Sequence, residues 1–309
     1  MGLFFAKCTS TARLDGKTVI ITGANTGIGK VTALDLFKRG ANVIMACRNL
    51  EKGETALKDI KNSCKDVDSN LGTLKLAELN LASFKSVRNC AGFLLKCDKI
   101  DILINNAGVM CCPYEKTEDG NEMQLQTNHL GHFLFTLLLL PKILESESAR
   151  IINVSSVAHT RGTIDFNDLN FEKKPYKALK AYQQSKLCNI LFTTELSRRL
   201  AAKNIFQITT YSLHPGVITT ELGRHLDDVY FRGLRWIWRS IMWVFLKSPE
   251  QGAQTTIYCA VDEEIAKETG LYYSDCKRKK PAMQARNLDD AKKLWEVSLK
   301  MVGLENVNI

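Results

Sequence analysis

Short apolar runs alternate with longer segments of helical spacing along most of the chain. KTVIIT, from Lys17 to Thr22, is a β-branched run that reads as a strand. GIGKVTALDLFKRG, which follows it, has helical spacing and stops at Gly40. ANVIMAC (Ala41 to Cys47) predicts a second strand, followed by a polar helix from Glu51. LKLAEL (Leu74 to Leu79) predicts a third, and SFKSVRNCAGFLL a helix with Ser83 as its N-cap. DILINN and ARIINVSS predict the fourth and fifth strands, separated by a long helix around HLGHFLFTLLLL. AYQQSKLCNILFTTELSRRL is a further helix and FQITTYSL a sixth strand. This alternation predicts an α/β fold: a doubly wound, mostly parallel sheet with helices on both faces. No internal repeat, low-complexity tract or long linker interrupts it, so all 309 residues are expected to form a single Rossmann-type domain.

Composition narrows the class without naming a chemistry. Apolar residues make up 45% and charged residues 24%, which is ordinary for a soluble globular chain. The ten cysteines are scattered with no C-x-x-C pair, so they read as reduced thiols of an intracellular, reducing compartment rather than a disulfide framework. Adjacent Cys111 and Cys112 have no His or Cys partner at ligand spacing, and no metal site is expected. The net charge of +9 (42 basic minus 33 acidic residues) owes part of its excess to Lys277-Arg278-Lys279-Lys280. That run is read as a solvated loop. It lacks interleaved aromatics, and no reading module accompanies it, so no nucleic-acid partner is expected. The N-terminal MGLFFAKCTSTARLDG is too short and polar for a signal peptide or membrane span, and Ala6 stands where a myristoylation signal wants Ser or Thr.

TGANTGIGK, from Thr22 to Lys30, stands where the first strand hands over to the first helix. In that position Gly23, Gly27 and Gly29 let the backbone turn tightly and approach a pyrophosphate, which then sits on the helix N-terminus. An NAD site carries Asp or Glu near the end of the second strand to bond the ribose 2′-hydroxyl. Here the end reads Cys47-Arg48-Asn49. The Arg48 guanidinium cannot accept a hydroxyl proton and suits a 2′-phosphate, so the expected cofactor is NADP(H). Lys30 and Lys52 could assist or be ordinary helix-surface charges.

AYQQSK puts Tyr182 one helical turn before Lys186, so the two share a face. Alone, that spacing describes many amphipathic helices. NNAG (Asn105 to Gly108) ends the fourth strand and NVSS (Asn153 to Ser156) the fifth, and ligands of an open parallel sheet bind beyond the carboxyl ends of its strands. TGANTGIG, NNAG, NVSS, YxxxK and HPG together resemble the short-chain dehydrogenase/reductase family, from about Leu14 to Leu213. The resemblance implies that Tyr182 gives a proton to a carbonyl or takes one from an alcohol, and that Lys186 holds the nicotinamide ribose. It implies that Ser156, rather than Ser155, bonds the substrate oxygen, and that Asn128 of TNHLGHF keeps a water in the proton relay. It places cofactor contacts at Gly23, Asn25, Thr26, Gly27, Ile28, Gly29, Arg48, Asn80, Leu81, Asn106, Ala107, Gly108, Tyr182, Lys186, Pro215, Gly216, Val217 and Thr220. Asn80 replaces the family's usual Asp near the adenine, which should tune affinity. A free tyrosine titrates near pH 10, and an ammonium one turn away is expected to lower that value. His214 beside the HPG turn is read as structural, and His129, His132, His159 and His225 look no more catalytic.

Within the family, ACRNLEKGE, NNAGVMCCPYEKTEDG, NHLGHFLF, LHPGVITTEL, SPEQGAQT and SDCK resemble the retinol dehydrogenase group, which acts on retinoids and lipid aldehydes. That group commonly carries an N-terminal hydrophobic anchor, which is not seen here. A substitute is visible in the variable stretch at about 221–248: FRGLRWIWRSIMWVFLK, residues 231–247, has no acidic residue. At about 100° per residue, Arg232, Arg235 and Arg239 fall on one side and Leu234, Ile237, Trp238, Ile241 and Phe245 on the other. That pattern fits a helix lying in a membrane interface or a lid over an apolar pocket. The expected partners are a lipophilic small-molecule substrate and, if 231–247 is an interfacial helix rather than a lid, a peripheral membrane surface; the resemblance adds that members of the family often dimerise through the YxxxK helix, while the sequence itself leaves the oligomeric state open. The expected location is the cytosol or the cytoplasmic face of the endoplasmic reticulum. A carbonyl reductase of steroid, prenyl or xenobiotic substrates is the alternative. A non-catalytic NADP-sensing scaffold is disfavoured because it would not need Asn128, Ser156, Tyr182 and Lys186 together.

Overall fold

A computed structural model of the chain describes residues 6–66, 70–216 and 247–306. Strand β1 (Thr18–Thr22) leads into α1 (Gly27–Lys38), β2 (Asn42–Cys47) into α2 (Leu50–Asn62), and β3 (Thr73–Glu78) into α3 (Phe84–Leu94). β4 (Ile102–Asn105) is followed by a short helical turn, α4 (Met123–Leu125), a π-helical turn (Gln126–Leu130) and α5 (Gly131–Leu144). Then come β5 (Ala149–Val154), a 3₁₀ turn (Val157–Arg161), α6 (Ala178–Ala202) and β6 (Ile208–His214). The remainder is α7 (Pro249–Val261), β7 (Leu271–Ser274), β8 (Lys277–Lys279), a 3₁₀ turn (Met283–Arg286) and α8 (Leu288–Met301).

The strands lie in one sheet in the order β3-β2-β1-β4-β5-β6-β7-β8, parallel except for the last pair. Both faces are covered, which is why β1, β2 and β4 are apolar at nearly every position rather than alternating. Val19, Ile21 and Val43 pack with residues of α1, α2 and α7. Ile20, Ile44 and Leu103 pack on the other face with α3, α5, α6 and α8. The predicted fold class and the six predicted strands are found, and local signals set most boundaries. Ser83 accepts a hydrogen bond from the Ser86 amide as the N-cap of α3, and Ser248 with Gln251 forms a capping box ahead of Pro249.

Two strands are additional to the six predicted. β8 contains the basic run read as a solvated loop; Lys277 to Lys279 instead form an exposed edge strand, antiparallel to β7. Charges along an edge keep its unpaired backbone from recruiting another strand. Among the described residues, no helix is long and apolar enough to cross a membrane.

The order reverses between β1 and β4, since β1 pairs with β2 on one side and β4 on the other. That switch point opens a crevice at the carboxyl ends of the strands. The glycine loop after β1, Arg48 after β2, Asn80 after β3, NNAG after β4, Ser156 after β5 and Pro215-Gly216 after β6 all lie at this edge. Val217 and Thr220, with nearly all of the stretch 221–248, lie outside the described residues.

Candidate active site

The glycine loop is shaped by close approach of backbone to backbone. Gly23 and Gly27 have φ of +67° and +53°, conformations that side chains rarely adopt. Gly29 is needed for space: a Cβ there would lie 2.4 Å from the Gly23 carbonyl oxygen and 2.6 Å from Asn106 Nδ2. Asn106 in turn donates from Nδ2 to the Thr22 carbonyl at 2.8 Å, locking NNAG onto the loop. Thr26 is the N-cap of α1 but makes no side-chain cap bond, and the first turn holds no acidic residue. The first amides of α1 thus lack a side-chain cap, as a helix N-terminus that receives a phosphate requires. Exposed Arg48 follows β2 directly. Neighbouring Asn49 is spent on capping α2, accepting from the Lys52 amide at 2.8 Å. Lys30 reaches across to Asp59 at 2.7 Å. Asn80 holds its own turn, its Oδ1 accepting from the Ala82 amide at 3.2 Å. The next residue, Leu81, packs against Gly131 at the start of α5, where a Cβ would meet the Leu81 carbonyl oxygen at 2.6 Å. Asn25 and Ile28 flank the loop half-buried, and Pro215 is buried. Gly216 (φ +101°) packs against the Lys247 stem, where a Cβ would meet Cδ at 2.5 Å.

Around Tyr182 the packing is of side chains. Tyr182 and Lys186 are 4% and 3% exposed. The Lys186 ammonium donates to the Val154 carbonyl at 3.1 Å and lies 5.8 Å from the centre of the Tyr182 ring. Ser156 is half-buried and caps the 3₁₀ turn by accepting from the Ala158 amide at 3.2 Å, with its hydroxyl near the Tyr182 phenol. Ser155 points elsewhere: its hydroxyl donates to the Lys186 carbonyl at 2.6 Å. Asn128 sits in the π-helical turn, and its side chain clasps the loop after NNAG. Its Oδ1 accepts from the Val109 amide at 2.8 Å, while its Nδ2 donates to the Val109 carbonyl and to Ser185 Oγ, each at 2.9 Å. A Cβ on Gly108 would sit 3.1 Å from Asn128 Oδ1 and 3.4 Å from Lys186 Nζ, so Gly108, Asn128 and Lys186 adjoin one another.

The expected lowering of the tyrosine's pKa is corrected by this geometry. Burial pushes Tyr182 up to about 12, opposed by the Ser156 hydroxyl, while the nearby Cys111 thiol adds to the rise. Burial also pulls Lys186 down to about 8. Desolvation penalises phenolate and ammonium alike, and the ammonium is aimed at a carbonyl rather than at the phenol oxygen. Both groups are therefore biased toward their neutral forms, and Tyr182 is held as an acid.

A crevice at a sheet switch point, a glycine loop on a helix N-terminus and a buried tyrosine beside a serine and a lysine occur together here. The sequence pattern of the family described as short chain dehydrogenase matches residues 17–229. The chain belongs to the short-chain dehydrogenase family. This dehydrogenase is 50% identical to human Retinol dehydrogenase 13 over 299 residues, 96% of this chain and 88% of that protein. It is 49% identical to human Retinol dehydrogenase 11, over 96% of this chain and 89% of that one. The crystal structure of an uncharacterised protein from Mycobacterium paratuberculosis superposes with a TM-score of 0.77 at 34% identity, covering 97% and 98% of the two chains. The Pseudomonas aeruginosa RhlG/NADP active-site complex superposes with a TM-score of 0.63 at 25% identity, covering 84% of this chain and 94% of that one.

The dehydrogenase is thus an oxidoreductase of alcohols and carbonyl compounds that uses a nicotinamide dinucleotide. The loop and the uncapped α1 fit such a group: Gly23, Gly27, Gly29 and the α1 amides would hold its phosphates, and the nicotinamide supplies or takes the hydride. For the chain's own part, Tyr182 would give its proton to a substrate oxygen in reduction and Ser156 would bond the same oxygen. Lys186, beside Gly108, would hold the nicotinamide ribose.

Several residues of the site escaped the sequence reading. The roles of Thr22, Gln124, Ser185 and Ser155, and the contacts of His132 and His159, become visible only in the structure. Gln124 accepts from the Cys111 amide at 2.8 Å and donates to Tyr176 Oη at 2.8 Å, fixing the loop whose thiol adjoins Tyr182. Cys111 itself has φ of +51°, which no local signal announces. The histidines read as structural do hold the frame. His214 Nδ1 accepts from the Val157 amide at 3.1 Å, and His159 Nδ1 donates to the Ser156 carbonyl at 2.6 Å while its Nε2 accepts from the Ala282 amide at 3.3 Å. Together they pin the turn that carries Ser156.

Proposed function

We propose that this dehydrogenase interconverts a lipophilic alcohol and its aldehyde or ketone, with retinoid-like compounds as substrates and NADP(H) as cofactor. The NADP(H) assignment is carried by Arg48: an exposed guanidinium follows β2 where an NAD site needs an acid. Retinoid-like substrates are favoured by the near-full-length likeness to Retinol dehydrogenases 13 and 11. The test is NADPH and NADH consumption with all-trans-retinal, medium-chain aldehydes and steroid ketones, with Tyr182→Phe as control. Turnover of retinal with NADPH, lost in the variant, supports the reading. Preference for a steroid ketone overturns the substrate, preference for NADH overturns the cofactor, and equal rates in both proteins overturn the catalytic assignment.

The same reading places the dehydrogenase at the cytoplasmic surface of an intracellular membrane, reached through the basic, tryptophan-rich stretch 231–247. Failure to sediment with anionic liposomes at low salt would reject that contact. Self-association through α6 is not expected. Every residue from Ala181 to Thr193 is buried within the single chain, and Trp295 of α8 packs on Phe192 with Arg199 over its ring at 4.6 Å. Light scattering that reads twice the 34.7 kDa chain mass, retained in a variant lacking α6 surface charges Arg198 and Arg199, would point to a dimer through another face.

A further inference from the structure

Thr22 ends β1 and has no exposed surface, yet its hydroxyl is the meeting point of four groups. It accepts from the amides of Asn106 and Ala107, each at 2.9 Å, and lies 2.9 Å from His132 Nε2. The Ile104 carbonyl is at 3.5 Å, too long to compete. On the other side of the ring, His132 Nδ1 lies 3.0 Å from the Asn128 carbonyl oxygen. A carbonyl only accepts, so Nδ1 carries the proton and Nε2 is left as an acceptor. Thr22 must then donate to Nε2, which leaves its lone pairs for the two NNAG amides. One chain of hydrogen bonds therefore runs from NNAG through Thr22 and the His132 ring to the backbone of Asn128. Every member of it except Asn106 and Ala107 is fully buried.

We propose that His132 is a positioning residue with two separable functions. Its Nδ1–H holds the Asn128 carbonyl, and with it the π-helical turn that aims Asn128 at Val109 and Ser185. Its Nε2 orients the Thr22 hydroxyl, and with it the NNAG backbone that backs the glycine loop. Burial keeps the ring neutral, with its pKa pushed down to about 4, and nearby Lys186 pushes in the same sense. The tautomer is fixed by the two partners. A histidine that the sequence reading gave no catalytic role thus ties the chemical half of the site to its cofactor half.

The inference rests on the reading that the loop binds a nicotinamide dinucleotide, and two side-chain amides separate its parts. An asparagine amide nitrogen falls near Nδ1 of a histidine, and a glutamine amide oxygen near Nε2. His132→Asn should keep the bond to Asn128 and lose the one to Thr22. We expect kcat within about threefold of wild type and NADPH affinity weakened by roughly tenfold, the scale of one buried hydrogen bond. His132→Gln should do the reverse, and His132→Leu should lose both. Thr22→Val, which also strips the Asn106 and Ala107 amides of their acceptor, should weaken NADPH more than His132→Asn does. A readout without turnover is the ¹⁵N spectrum of the His132 ring, which should show a protonated Nδ1 and an unprotonated Nε2. The proposal is overturned if the ring carries its proton on Nε2. It is also overturned if the Asn and Gln variants lose kcat and affinity in the same proportion, as partial unfolding would produce. Wild-type protein that binds neither NADPH nor NADH would instead overturn the dinucleotide reading.

Discussion

Around the glycine loop, Gly23 and Gly27 take left-handed backbone and Gly29 abuts the Gly23 carbonyl, so the chain makes room by withholding side chains. Around Tyr182 it does the opposite, crowding Lys186, Asn128, Ser185 and Cys111 into a space with almost no solvent contact. On the proposed reading, the first region would recognise its ligand through backbone amides and one exposed guanidinium. The second controls which protonation states its own groups adopt. The difference teaches where each region is vulnerable: the loop to any added atom, the pocket to any lost polar partner.

The comparison is broken most severely at Tyr182. Tyr182→Phe removes the acidic proton and keeps the ring, so kcat should fall by about 10²- to 10⁴-fold while NADPH binding is unchanged. Single-turnover rates with direct cofactor titration check both halves. At the loop the pattern reverses. Gly29→Ala places a Cβ 2.4 Å from a backbone oxygen that cannot swing away. A cost of about 3 kcal/mol is expected, roughly 150-fold, expressed as cofactor affinity or as a lowered Tm rather than as kcat at saturation. Wild-type cofactor affinity and Tm in that variant would mean the loop is looser than described.

The two regions were not equally legible in the sequence. Glycine spacing between a strand and a helix has one mechanical meaning, and the loop, Asn106 and Arg48 stand where that meaning put them. The YxxxK spacing also placed Tyr182 and Lys186 on one face of α6. The sign of the tyrosine's shift was not legible, because the spacing shows only that a charge is near. Whether burial or the charge wins depends on everything packed around α6, including Trp295 and Leu299 more than 100 residues downstream. β7 and β8 were missed for a local reason. LYYS is four residues long and KRK is three charged ones, so neither leaves a periodic trace. The π-helical turn at Asn128 likewise has no signature in TNHLGHF that separates it from the helix on either side.

A milder change sharpens the cofactor half alone. Arg48 is exposed, so its contribution to a bound 2′-phosphate is screened, and Arg48→Gln should weaken NADPH by roughly tenfold with little effect on NADH. If both cofactors weaken equally, Arg48 supports the strand end rather than reading the phosphate.

The last comparison reads stability rather than activity. Burial lowers His129 to about 3 and both His132 and His214 to about 4, against the usual 6.5. For a histidine with a lowered native value, the unfolded chain binds more protons than the native one between that value and 6.5. Stability is therefore complete above pH 6.5 and drains away as the pH falls toward 4, by up to about 1.4 kcal/mol per unit for each ring. Buried Glu122 works in the opposite sense, because its raised pKa makes the native state the better proton binder as acid is added. Burial lowers His159 as well, and four rings against one raised carboxyl leave a net loss. Urea midpoints measured from about pH 7.5 to 4.5 should fall, and His214→Asn, which removes one titrating ring outside the His132 chain, should flatten that slope by about one proton. A slope unchanged in this variant would mean that His214 is hydrated and titrates normally. The Ser156 turn would then be pinned by His159 alone.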